Sequence, residues 1–171
     1  RHVEADAQER AAYLKQRRLM AGAPEDEVEI DDDEDAVAEG QLSTDRYAEM
    51  SAAEDLILTI TASGSGKLSS SHDYPVRGRG GQGVMAMDKA MRGGALVASF
   101  PVEIHDQIML ATSTGQSIRV PVEGISFRSR SAGGVKVFNT AKGEEVVSVA
   151  WIADQGDEDD TETATPPQAE G

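Results

Sequence analysis

The 171 residues include no cysteine and carry a formal net charge of -15. That excludes a disulfide framework and a thiolate metal site, and it suits a reducing, cytoplasmic setting. No apolar run approaches the ~18 residues of a membrane span. No signal peptide opens the chain, and it begins at Arg1 without an initiator Met, as expected of a piece of a longer protein.

The charge is unevenly spread. Residues 1–20 are mildly basic, and residues 56–152 hold ten basic against seven acidic side chains. Residues 21–55 hold one base and fourteen acids, and 153–171 hold seven acids and no base. An acidic total therefore does not exclude a nucleic-acid partner for the central region.

In chain order, residues 4–20 are rich in helix formers, with acids early and bases late to complement the helix dipole, and Gly22 and Pro24 stop the run. The apolar face (Val3, Ala7, Ala11, Leu14) is thin, which predicts a peripheral helix. Residues 25–41 include Asp31-Asp32-Asp33-Glu34-Asp35, where Ala36 replaces the glycine a calcium loop needs, so a solvated linker is expected. Residues 43–54 read as a short helix capped by Ser43.

From Asp55 onward the chain repeats itself. A shift of 51 places without a gap lays Asp55 on Asp106, Ile57 on Ile108, Thr61 on Thr112 and Gly64 on Gly115. It continues with Arg77 and Arg79 on Arg128 and Arg130, and Gly83-Val84 on Gly134-Val135. A period near fifty residues is the mark of blade arrays. Each unit reads as four short strands: Leu56–Thr61, Lys67–Ser71, Val84–Met87 and Ala95–Phe100, then Gln107–Thr112, Ser117–Val122, Gly134–Phe138 and Val146–Trp151. This predicts an all-β pair of blades at 56–104 and 105–153, preceded by a helical and acidic insertion (1–55) and followed by a disordered acidic tail (154–171). A stable array usually needs at least ~3 units, so further blades are expected upstream.

Several motifs invite a catalytic reading and fail it. Gly78-x-Gly80-x-x-Gly83, with Glu103 about twenty residues on, matches a dinucleotide fingerprint, but the repeat-equivalent Val135–Asn139 alternates like a strand. Gly66-Lys67 lacks the Ser or Thr of a phosphate loop. Ser71, His72 and Asp73 are neighbours on a segment read as extended, so they cannot converge as a triad. The histidines lack metal-ligand spacing, so no cofactor or metal is expected.

The arginines remain. Arg77/Arg79 and Arg128/Arg130 stand two residues apart, which on an extended segment places each pair on one face. Their repetition would build a basic rim at one edge of successive blades, extended by Lys67, Arg119 and Lys136. Guanidinium forks suit phosphate oxygens, and glycine-rich turns expose backbone N–H groups to anions. The plainer alternative is that these cations only keep the blades soluble. A rim of this kind binds backbone without reading sequence.

Ile57-Leu58-Thr59-Ile60-Thr61 leading to Gly64-x-Gly66-Lys67, then Arg79-Gly80-Gly81-Gln82-Gly83 and Asp106-Gln107-Ile108-Met109-Leu110, resemble the C-terminal part of the bacterial DNA gyrase A-subunit family. The final Val146–Trp151 and the acidic tail are similar as well. The resemblance implies the last two blades of a β-pinwheel that wraps double-stranded DNA, supporting ATP-dependent negative supercoiling. It implies an A2B2 complex, in which the B subunit is joined by a second A subunit, through regions outside this chain. ATP and Mg2+ would be used elsewhere in that holoenzyme. It also implies no catalytic residue here, since the strand-cleaving tyrosine lies in the family's N-terminal region. The family's hallmark box is absent, and residues 77–83 resemble a degenerate relative of it. The A subunit of topoisomerase IV, or a protein-binding propeller, is the alternative reading.

Overall fold

A computed structural model describes residues 3–22, 40–88 and 93–153. The acidic linker, the stretch 89–92 and the tail from 154 lie outside the described residues, and so do the expectations placed on them.

Helix α1 (Ala7–Met20) starts where Asp6 caps it: the Asp6 carboxylate accepts from the Glu9 amide, and Glu9 reaches back to the Asp6 amide. This reciprocal box satisfies two of the free donors at a helix start. Helix α2 (Thr44–Ala52) is capped by Ser43, as its sequence predicts. The two helices pack on each other. Tyr13, with no exposed surface, stacks on Tyr47 and meets His72 edge-on, each at 5.0 Å between ring centroids. Of the predicted apolar face of α1, Leu14 is buried and Val3 packs against it, while Ala12 and Tyr13 go inside where Ala7 and Ala11 stay half-buried. With Met50 of α2 they make a second small core, apart from that of the strands.

The strands are β1 (Leu56–Thr61), β2 (Ser65–Ser70), β3 (Leu96–Val102), β4 (Gln107–Thr112), β5 (Ser117–Pro121), β6 (Val135–Lys136) and β7 (Val146–Ile152). They form two antiparallel sheets, in the orders β3-β1-β2-β6 and β5-β4-β7. The 51-residue shift survives in atomic detail. Each hairpin turn uses a glycine at positive φ, Gly64 (79°) and Gly115 (85°), a backbone state that carries no steric cost without a Cβ. In each, a threonine hydroxyl, Thr61 or Thr112, accepts the amide four residues on. Both central strands slip register at that threonine, and a 3-10 turn follows each second strand, at Ser71–Asp73 and Val122–Gly124.

Alternation along the strands builds the core. Leu58 and Ile60 on β1, and Ile108 and Leu110 on β4, are wholly buried and join one apolar cluster with Leu68, Val122 and Val146. Each such side chain contributes ~1.5–3 kcal/mol of burial. Strands β3 and β7 contact one another, which leaves β6 and β5 as the far edges of the two sheets.

Two expectations are corrected here. Residues 84–87 form no strand. The segment at 134–138 shortens to the two residues of β6, and it pairs with β2 of the preceding unit, with Gly66 opposite Val135 and Ser65 opposite Lys136. The second unit thus lends its third strand backwards. The first sheet has four strands and the second three.

Candidate nucleic-acid interface

The chain crosses from the second unit to the first at Phe127, which bridges Leu68 in parallel. The Arg128 amide donates to the Leu68 carbonyl at 2.8 Å, and the Leu68 amide to that of Ser126 at 2.9 Å. Residues 129–134 then pass over β2 before β6 pairs with its edge. The approach is close enough to demand glycine. A Cβ on Gly134 would lie 2.9 Å from the Gly66 backbone nitrogen, and one on Gly66 would meet Ile60 and Val137.

This crossing sorts the seven predicted cations. Lys67 has no exposed surface, and its Nζ donates to the carbonyls of Ser129 (2.8 Å), Arg130 and Ala132 (2.7 Å). Arg130 is 4 % exposed. Its amide donates to the Asp73 carboxylate at 2.7 Å, its Nε to the Asp73 carbonyl at 2.8 Å, and its Nη1 to the Met85 carbonyl at 2.6 Å. Both cations hold one repeat to the other and face no solvent. The expected i, i+2 pairing of Arg128 with Arg130 on one strand face is also corrected, because neither residue lies on a strand and the chain turns at Arg130. Arg128 is half-buried beside Leu68.

Four of the predicted cations are exposed. Arg77 and Arg79 stand on the glycine-rich loop. Arg119 stands on β5, and Lys136 on β6, where its Nζ donates to the Ser63 carbonyl at 2.8 Å. Arg119 and Lys136 therefore occupy the outermost strand of each sheet. The sequence carried no signal for the burial of Lys67, because the repeat lays it on Ile118, which is itself exposed. Asp73 had none either, because its partner lies 57 residues away.

The other polar groups singled out in the sequence are engaged structurally. Ser71, His72 and Asp73 lie on a 3-10 turn rather than an extended segment. Ser71 Oγ accepts the Asp55 amide at 3.0 Å, and His72 Nε2 donates to the Met50 carbonyl at 2.8 Å. Burial pushes the Tyr74 hydroxyl up, so it stays neutral at working pH. Among the described residues no group of three or more His, Asp or Glu could hold a metal ion, and no helix is long and apolar enough to cross a membrane.

The family model for the DNA gyrase C-terminal domain, beta-propeller, matches residues 55–102 and 106–150, more than half of the chain. The chain belongs to the DNA gyrase C-terminal domain family. It is 41 % identical to the DNA gyrase A subunit of Granulibacter bethesdensis over 99 % of this chain and 20 % of that protein. Against the DNA gyrase A subunit of Rickettsia bellii it is 35 % identical over 94 % of this chain and 18 % of the relative. The chain thus spans about a fifth of the length of the curated relatives it matches. In fold it is similar to a solved DNA gyrase A C-terminal domain, with a TM-score of 0.54 at 22 % identity over 59 % of this chain and 34 % of that one. It is also similar to the C-terminal domain of DNA topoisomerase IV, with a TM-score of 0.52 at 20 % identity over 57 % of this chain and 30 % of that one. A gyrase-type propeller with paired antiparallel sheets is the fold at hand.

Proposed function

We propose that these two units belong to the DNA-wrapping region of a gyrase A subunit, where they contact the phosphate backbone of duplex DNA. This reading rests on the exposure of Arg119 and Lys136 on the outermost strand of each sheet, and of Arg77 on the glycine-rich loop. Cations there neutralise phosphates and release counterions as a bent duplex follows the rim. Lys67 and Arg130, being buried, take no part. Half-buried Arg128 is a minor contributor.

The functions of the whole protein are part of the same proposal, supported by relatives named as gyrase A subunits. The whole protein works in the cytoplasm within an ATP-dependent type II topoisomerase. It pairs with the B subunit, as well as with a second A subunit, through regions outside this chain, and this chain itself needs no cofactor. Relatives named as gyrase A subunits along nearly the whole chain favour negative supercoiling over the decatenation of topoisomerase IV.

The test is duplex binding by a full-length subunit over a salt series. Arg119→Ala and Lys136→Ala should each flatten the log–log slope by about 0.9, the loss of one phosphate contact. An unchanged slope in both would remove these two units from the DNA path. Equal affinity for an acidic polypeptide would instead favour a protein-binding propeller.

A further inference from the structure

The tip of the second unit's hairpin, between β4 and β5, holds an anion supplied by its own chain. The buried Glu144 carboxylate accepts the Thr114 hydroxyl at 2.5 Å and the Ala141 amide at 2.8 Å. The Thr112 hydroxyl lies 3.2 Å from that of Thr114. The two threonine hydroxyls and the amide keep this carboxyl below its usual range, so it is charged. Hydroxyls at the hairpin tip thus form a seat for a negative group.

The first unit has the hydroxyls, and a glycine in place of the glutamate. The connection into the last strand is one residue shorter in the second unit. Leu96 lies opposite Thr61 as Val146 lies opposite Thr112, and the Ala62 amide donates to the Ala95 carbonyl as that of Ser113 does to Glu145. Gly93 therefore matches Gly143, both at positive φ (66° and 82°), and Gly94 matches Glu144. A Cβ on Gly94 would stand 3.5 Å from that of Ala62 and 3.7 Å from the Ser63 nitrogen, ordinary contacts directed at the tip. The Thr61 and Ser63 hydroxyls are 3.0 Å apart. Ser65 adds a third hydroxyl, 3.4 Å from that of Ser63, where the second unit has Gln116. A cation joins them, since Lys136 reaches over from β6 and its Nζ donates to the Ser63 carbonyl at 2.8 Å.

We propose that this β1–β2 hairpin seats a phosphate of duplex DNA, with Ser63, Ser65 and Lys136 holding its free oxygens as the second hairpin holds the Glu144 carboxylate. The proposal rests on the backbone-binding reading above and adds to it the neutral groups that work beside Lys136. The seat adjoins β6, the outermost strand of its sheet, so a duplex following the rim carries its phosphates past it. Hydroxyl and ammonium donors fix the register of the duplex without reading its sequence.

The test is duplex binding by a full-length subunit over a salt series. Gly94→Glu gives the first hairpin the carboxylate of the second. It should flatten the log–log slope by about 0.9, because Lys136 then pairs with that carboxylate and not with phosphate. Adding Lys136→Ala to Gly94→Glu should flatten the slope no further, since both changes remove the same contact. Additive flattening would mean that the new charge only repels DNA, and would overturn the seat. The double variant Ser63→Ala, Ser65→Ala deletes two oxygens and introduces no charge. It should weaken binding roughly 10-fold, in parallel at every salt concentration, because hydroxyls release no counterions. Parental affinity in this double variant, with Lys136→Ala still flattening the slope, would overturn the seat and leave the backbone reading standing. Unchanged slopes in both Lys136→Ala and Arg119→Ala would remove the backbone reading and the seat with it.

Discussion

Replacing Lys67 with Met keeps the volume and apolar stem of the side chain while deleting three charge-assisted hydrogen bonds. The acceptors are the carbonyls of Ser129, Arg130 and Ala132, in the loop by which the second unit grips the first. Bonds from a charged donor contribute ~1.5–3 kcal/mol each. Burying the ammonium costs several kcal/mol, which the substitution recovers. The difference leaves a net destabilisation of about 2–4 kcal/mol, most of it from carbonyls stranded without a donor. With a urea slope of about 1–3 kcal/mol per M for a small domain, the unfolding midpoint should fall by roughly 1–2 M. Trp151, the sole tryptophan, reports the transition, because its indole N–H donates to the buried Asp106 carboxylate at 2.7 Å. The duplex-binding salt slope of a full-length subunit should be unaffected. A midpoint within about 0.3 M of the parent, together with a flatter salt slope, would refute the reasoning, since Nζ would then face solvent and DNA.

Gly134→Ala places a Cβ 2.9 Å from the Gly66 backbone. It should cost ~1–3 kcal/mol as an overpacked contact, and its signature is the loss of amide protection at Val137 and Phe138. Arg17→Ala removes an ion pair to Glu54 at 3.1 Å and a guanidinium stacked 4.5 Å from the Phe127 ring. Helix α1 should loosen from the sheets by about 1 kcal/mol, read as faster amide exchange along α1 with the strand amides unchanged. Acidification should destabilise the fold through Glu9 and Glu144. The Arg46 guanidinium holds the Glu9 carboxyl below the usual 4.5, and the Thr112 and Thr114 hydroxyls do the same for Glu144. A lowered folded value means that this stability is present above about 4.5 and is lost as pH falls through the folded values. Thermal melts should therefore be flat from about pH 7 to 5 and drop below about 4.5. A Glu9→Gln, Glu144→Gln double variant should show a smaller drop.

The local grammar of this protein was legible in the order of its amino acids. Leu, Ile and Thr in β1, a threonine and a glycine at each hairpin turn, and Asp6 and Ser43 ahead of the helices act within a few residues of themselves. The reading by repeat therefore placed four of the seven strands to within one residue at each end, β1, β4, β5 and β7. Which copy each segment joins was a matter for the folded chain alone. A repeat specifies the same strand twice and says nothing about whether it pairs inside its own unit. The pairing of β6 with β2 was settled by contacts between residues more than sixty positions apart, where Gly66 lets a backbone approach and Lys67 clamps three carbonyls. The same long-range contacts sorted the cations. Arg119 and Lys136 carry the same charge in sequence as Lys67 and Arg130, and an exposed cation is indistinguishable from a latched one until the chain has folded back on its partner. The difference lies in desolvation and in the carbonyls and the Asp73 carboxylate waiting across the unit boundary, which come together only in the tertiary fold.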